Sequence, residues 1–104
     1  LVITPVPLLP GVVVTCRPIG ILMMQDEAGD DAKVLAVPTD KILAIYTQWQ
    51  KPEDLNPLRL KTISHFFEHY KDLEPGKWVK VLGWEGPDAA RKEILDGIAA
   101  YGKR

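Results

Sequence analysis

Apolar positions crowd the opening of the chain and thin into two amphipathic patterns towards its end. Between Leu1 and Met24 the only charged side chain is Arg17. The remainder is largely aliphatic and β-branched, punctuated by Pro5, Pro7, Pro10 and Gly11. Such a run favours extended backbone, with Pro10-Gly11 as the turn between two strands. Pro18 has no N–H to give to a ladder, so the second strand should carry a bulge or an edge near Arg17-Pro18. The segment Gln25-Asp-Glu-Ala-Gly-Asp-Asp-Ala-Lys33 then leads into apolar Lys33 to Val37, which reads as a hairpin with a heavily charged loop. Asp40 to Gln50 has helical spacing at Ile42, Leu43 and Tyr46, and Lys51 to Asn56 is a polar connector.

The clearest helix begins at Asn56, a capping residue, with Pro57 in the first helical position. Leu60, Ile63, Phe67 and Tyr70 recur at spacings of three and four, predicting a helix from Asn56 to Asp72 that ends before Glu74-Pro75-Gly76. Lys77 to Trp84 reads as a strand with Val79 and Val81 on one face. Gly86-Pro87-Asp88 opens a last amphipathic helix whose stripe is Ala90, Ile94, Ile98 and Tyr101.

With 104 residues, 46% hydrophobic and 26% charged, the chain suits one modest core and a single domain over residues 1–104. Thirteen basic against fourteen acidic residues give a net charge of -1, which disfavours a nucleic-acid binder. The apolar runs are too short to span a bilayer, so no membrane partner is expected. Cys16, the single cysteine, reads as a small buried hydrophobe among Val12, Val13, Val14 and Ile19. No internal disulfide is possible, and a reducing, cytoplasmic setting is favoured. The abrupt apolar start at Leu1 suggests a processed or truncated chain.

Candidate chemistry concentrates in the acidic turn. Asp26, Glu27, Asp30 and Asp31 crowd around a glycine between apolar strands, and their repulsion is relieved by solvent or by a cation. Carboxylate oxygens at a strand end are the hard ligands that magnesium takes, but a solvated hairpin tip explains the spacing equally well. His65-Phe-Phe-Glu-His69 matches the H-x-x-E-H zinc-peptidase pattern. A third histidine is lacking, so exposed or interface histidines are the favoured reading. Tyr70, Lys71 and Lys33 would suit a phosphate anion if they lay near a metal, although a lysine at a helix end is already explained by the macrodipole. Phe66, Phe67 and Trp78 read as core.

In register along the chain, Pro7 and Pro10-Gly11, Cys16-Arg-Pro-Ile-Gly20, Asp26-Glu-Ala-Gly-Asp-Asp-Ala-Lys33, His65-Phe-Phe-Glu-His-Tyr-Lys71 and Lys77-Trp-Val-Lys80 resemble bacterial family I inorganic pyrophosphatases. The resemblance implies an α+β fold: an OB-like closed or partly open antiparallel β-barrel with flanking helices, its first strands missing here. It implies magnesium, with Mn²⁺ or another divalent ion able to substitute, as cofactor, and hydrolysis of pyrophosphate to two phosphates. Asp26 and Asp31 would be metal ligands, Lys33, Tyr70 and Lys71 would meet phosphate, and Glu27 would support them through water. Arg17 is assigned a structural role. A homohexamer is implied as the usual bacterial assembly. The family's Asp-x-Asp-Pro-x-Asp block is absent, so the chain is expected to hold only part of the active site and to be nearly inactive alone. A silent metal- or phosphate-binding module is the rival reading.

Overall fold

The computed structural model describes residues 1–103. One long strand organises it. β1 (Cys16–Asp26) pairs antiparallel with every other strand: β2 (Gly29–Asp30), β3 (Lys33–Pro38) and β4 (Val79–Glu85). Ile21 faces Val34 on one side and Glu85 on the other, while Gln25 faces Asp30 and Lys80. β2 and β3 therefore line one edge of β1 in succession, and β4 lines the opposite edge. The β1–β3 register shifts between Pro18 and Gly20, at the bulge expected from the missing proline donor.

β1 is apolar on both faces over Ile19–Leu22 because it is covered on both. Ile19, Leu35 and Val37 are fully buried and cluster with Ile3, Tyr46 and Leu55, while Leu60 and Ile63 of α1 (Pro57–His69) pack against them. α2 (Pro87–Gly102) lies against β1 and β3. Gly20 sits where a side chain has no room, since a Cβ there would come within 2.3 Å of the Pro52 ring. The sheet is open rather than closed. Among the described residues, nothing pairs with the outer edge of β4. No described helix is long and apolar enough to cross a membrane.

Several sequence expectations change. The turn at Pro10-Gly11 forms, but Leu1–Pro10 is not a strand, and it meets the sheet through a parallel bridge from Val2 to Ala36, a bond from the Leu1 amino group to the Val34 carbonyl at 2.7 Å and the buried Ile3 side chain. Pro5 and Pro7 cannot donate to a ladder, which stops the pairing there. Asp40–Gln50 is not an α-helix but contains a single 3₁₀ turn, Ala44–Tyr46. The Arg17 guanidinium donates to the carbonyl oxygens of Trp49 and Tyr46 at 2.7 and 3.1 Å, the Gln50 N–H goes to Asp54, and Tyr46 accepts locally from the Trp49 N–H three residues on. These bonds give Arg17 its structural role. α1 has its expected cap, with Asn56 accepting from the Leu58 N–H at 2.8 Å, but ends at His69 rather than Asp72. Cys16 is half-buried rather than buried, and it is the first residue of β1. On α2, Ala90 is buried, whereas Ile94, Ile98 and Tyr101 are exposed.

Candidate active site

The acidic turn is built by local chemistry. β1 and β2 meet at the pair Asp26 and Gly29, leaving Glu27-Ala28 as a two-residue connection. Gly29 has φ 121, a backbone value that glycine alone adopts without strain. Asp26 Oδ1 accepts the Ala28 N–H at 2.8 Å, closing the turn from its first residue. The Asp31 N–H donates to the Met24 carbonyl at 3.0 Å, so Asp31 is tied back to β1 and leads into β3.

The four carboxylates do not converge. Asp26 turns towards the segment after α1, where the Lys71 ammonium donates to Oδ2 at 2.9 Å and lies 3.9 Å from Glu27. The two partners are nearly enclosed, with 15% of the Lys71 side chain and 11% of the Asp26 side chain exposed. The bond from Lys71, helped by the Ala28 N–H, holds the Asp26 carboxyl below the ordinary carboxylate range, and Asp26 in return holds Lys71 above the ordinary lysine range. Asp31 pairs instead with Lys33 at 2.8 Å. Asp30 accepts from Gln25 at 3.2 Å and is exposed. No group of three histidine, cysteine or acidic side chains gathers to hold an ion among the described residues.

Aromatic rings join these two ion pairs. The Lys33 ammonium lies 5.7 Å from the centre of the Phe67 ring, Phe67 meets Tyr70 edge-on with centroids 5.6 Å apart, and Lys71 lies 5.6 Å from the Tyr70 ring centre. A continuous path thus runs from Asp31 through Lys33, Phe67, Tyr70 and Lys71 to Asp26 and Glu27. All six residues proposed from the sequence share one neighbourhood at the charged end of β1. Tyr70 and Lys71 lie just beyond α1 rather than within it, with the Tyr70 N–H still bonded to the Phe66 carbonyl at 2.9 Å.

The family model described as inorganic pyrophosphatase matches residues 1–102. The chain belongs to the inorganic pyrophosphatase family. It is 55% identical to the inorganic pyrophosphatase of Pseudomonas aeruginosa over 103 residues, covering 99% of this chain and 59% of that protein. The solved pyrophosphatase of Coxiella burnetii superposes with a TM-score of 0.89 at 55% identity, covering 92% of this chain and 57% of the other. That of Helicobacter pylori gives 0.94 at 45% identity, covering 98% and 60%. The chain therefore spans less than two thirds of the length of these relatives, and its open sheet with two helices is an OB-like α+β fold.

His65 and His69 are exposed, their ring centroids 4.5 Å apart, and His69 Nδ1 is 2.8 Å from Asp72. Phe66, Phe67 and Trp78 were all expected in the core, but Phe66 and Trp78 are 58 and 51% exposed and Phe67 is half-buried beside the ion-paired network. The position of Phe67 in the last turn of α1, three residues before Tyr70 and four before Lys71, was a signal available from spacing.

Proposed function

We propose that the full-length parent of this chain is a magnesium-dependent inorganic pyrophosphatase that hydrolyses pyrophosphate to two phosphates, with the chain contributing part of its active site. The single observation that supports this most is the network joining Asp26, Glu27, Asp31, Lys33, Tyr70 and Lys71 in a chain of this family. The donor chemistry of Asp26 and Asp31 fits magnesium, because both are hard oxygen ligands on one rigid hairpin. Their number is incomplete, which agrees with a chain shorter than its relatives. Each carboxylate is at present neutralised by one ammonium, so a divalent cation there would take over the charge that Lys71 and Lys33 now balance.

Mechanism follows from that exchange. Released from their carboxylates, Lys33 and Lys71 present ammonium groups to phosphate oxygens, and the Tyr70 hydroxyl donates to the same anion. Glu27 keeps a negative charge beside Lys71 and orients it without occupying the anion position. Bound magnesium supplies Lewis acidity and lowers the pKa of a coordinated water. Asp26 and Asp31 hold that charge in place through the β1–β2 turn. A cytoplasmic homohexamer belongs to the same reading, with exposed apolar side chains on α1 and α2, such as Phe66 and Ile98, as surface available for subunit contacts.

The test is phosphate release from pyrophosphate by the parent, with and without magnesium. Release that requires magnesium and is lost in Lys33→Met is the expected result. Magnesium-independent release, or none from the parent, would contradict the reading.

A further inference from the structure

The two phosphate-binding lysines belong to different parts of the fold: Lys33 opens β3, whereas Lys71 follows α1. The direct ion pairs that tie Lys71 to the hairpin are those with Asp26 at 2.9 Å and Glu27 at 3.9 Å, and neither involves Lys33. Lys33 and Asp31 pair within their own segment. Phe67 bridges the remaining distance, with the Lys33 ammonium 5.7 Å from its ring centre and the Tyr70 ring set against it at 86°. Phe66 stacks on Tyr70 with centroids 5.6 Å apart and meets Phe67 at 5.1 Å, so the three rings form one cluster. Phe67 is itself half-buried at the end of the helix face that carries Leu60 and Ile63 into the core.

We infer that Phe67 is a positioning residue for the phosphate anion, its ring holding the Lys33 ammonium and the Tyr70 phenol in one fixed arrangement. This rests on the assignment of Lys33 and Tyr70 to phosphate. The physical cause is the ring's charge distribution. Its negative face attracts the ammonium, and an edge-to-face contact orients the neighbouring phenol. Lysine has a flexible four-carbon stem, so without the ring the ammonium samples orientations that Asp31 alone does not exclude. An aliphatic side chain of similar bulk would fill the space but would not supply the negative face. Packing and positioning therefore make different demands on residue 67.

The experiment is binding of inorganic phosphate by the full-length parent with magnesium present, together with kcat and KM for pyrophosphate. Phe67→Leu should weaken phosphate binding and raise KM about tenfold while kcat changes by less than about twofold. Phe67→Tyr, which keeps the ring, should stay within about twofold of the parent. Progressive fluorination of the residue 67 ring keeps its shape while draining its face. It should weaken binding stepwise, and it serves where Phe67→Leu does not fold. Equal effects of Leu and Tyr, or no response to fluorination, would overturn the positioning role. If Lys33→Met weakens phosphate binding but Phe67→Leu does not, the positioning role falls and the assignment of Lys33 stands. If Lys33→Met leaves phosphate binding unchanged, the assignment fails and the inference fails with it.

Discussion

The sheet around β1 and the two ends of the chain use similar residues to different effect. Ile19 of β1 and Leu35 and Val37 of β3 are completely buried, because the paired strands carry them beneath Ile3, Tyr46, Leu55 and α1. Leu9 and Val13 at the N-terminal end, and Leu95 and Ile98 on α2, are as hydrophobic but 79, 95, 65 and 63% exposed. The difference is the presence of a partner element, and hydrophobicity alone does not make a core. The charged end of β1 shows the same contrast in polar terms. Each carboxylate that has a lysine within reach is paired, yet the set as a whole stays short of the ligands that a cation needs.

The largest expected effect separates chemistry from architecture. Asp31→Asn in the full-length parent should lower magnesium-dependent phosphate release on the order of 10³-fold, as expected for one member of a group that acts together. The unfolding midpoint should move little, since Asp31 is partly exposed and its backbone tie to Met24 remains. Retained activity would remove Asp31 from the metal site.

Next in size is a direct contrast between the two kinds of apolar position. Leu35→Ala should destabilise the chain by about 2–5 kcal/mol, and Ile98→Ala by less than about 0.5 kcal/mol. Denaturant unfolding of both variants checks this. A comparable loss at Ile98 would show that the outer face of α2 is covered in solution.

How far each region could be read from the sequence follows the same division. Asn56-Pro57 and the spacing of Leu60 and Ile63 announced α1 because capping and periodicity are local, and the Pro18 bulge was equally readable from a missing N–H. The pairing of Lys71 with Asp26 was not readable, because it joins residues 45 positions apart that only the fold brings together. Arg17 shows the converse. It binds the Tyr46 and Trp49 carbonyls of a segment whose own bonds close three-residue turns, from Thr47 to Ala44 and from Trp49 to Tyr46, rather than the helix that the spacing of Ile42, Leu43 and Tyr46 suggested. At Leu1–Pro10, β-branched composition argued for a strand, but alternate prolines left too few donors for one. The six candidate residues were proposed through resemblance, whereas their connection through Phe67 required coordinates.

A smaller effect concerns pH. Asp26 is held below its ordinary pKa by Lys71, so its contribution to stability is complete above the unfolded carboxylate value of about 3.9 and is lost as pH falls through the lower folded value. Lys71 is raised, so its contribution is complete below about 10.4 and is lost as pH rises through the higher folded value. Asp26→Asn should therefore lower the thermal midpoint at neutral pH and match the parent sequence in strong acid. A midpoint difference that persists undiminished into strong acid would mean that the carboxylate charge is not what stabilises this contact.

The central claim is that a pyrophosphatase site is present here only in part, and the turnover of magnesium pyrophosphate by the purified 104-residue chain tests it most directly. The measurement is made beside the full-length parent, with intact-mass analysis for any bound N-terminal peptide. The account predicts little turnover from the chain and efficient turnover from the parent. Parent-like turnover by the chain, with no additional peptide present, would contradict it and would require a complete active site among the residues described above.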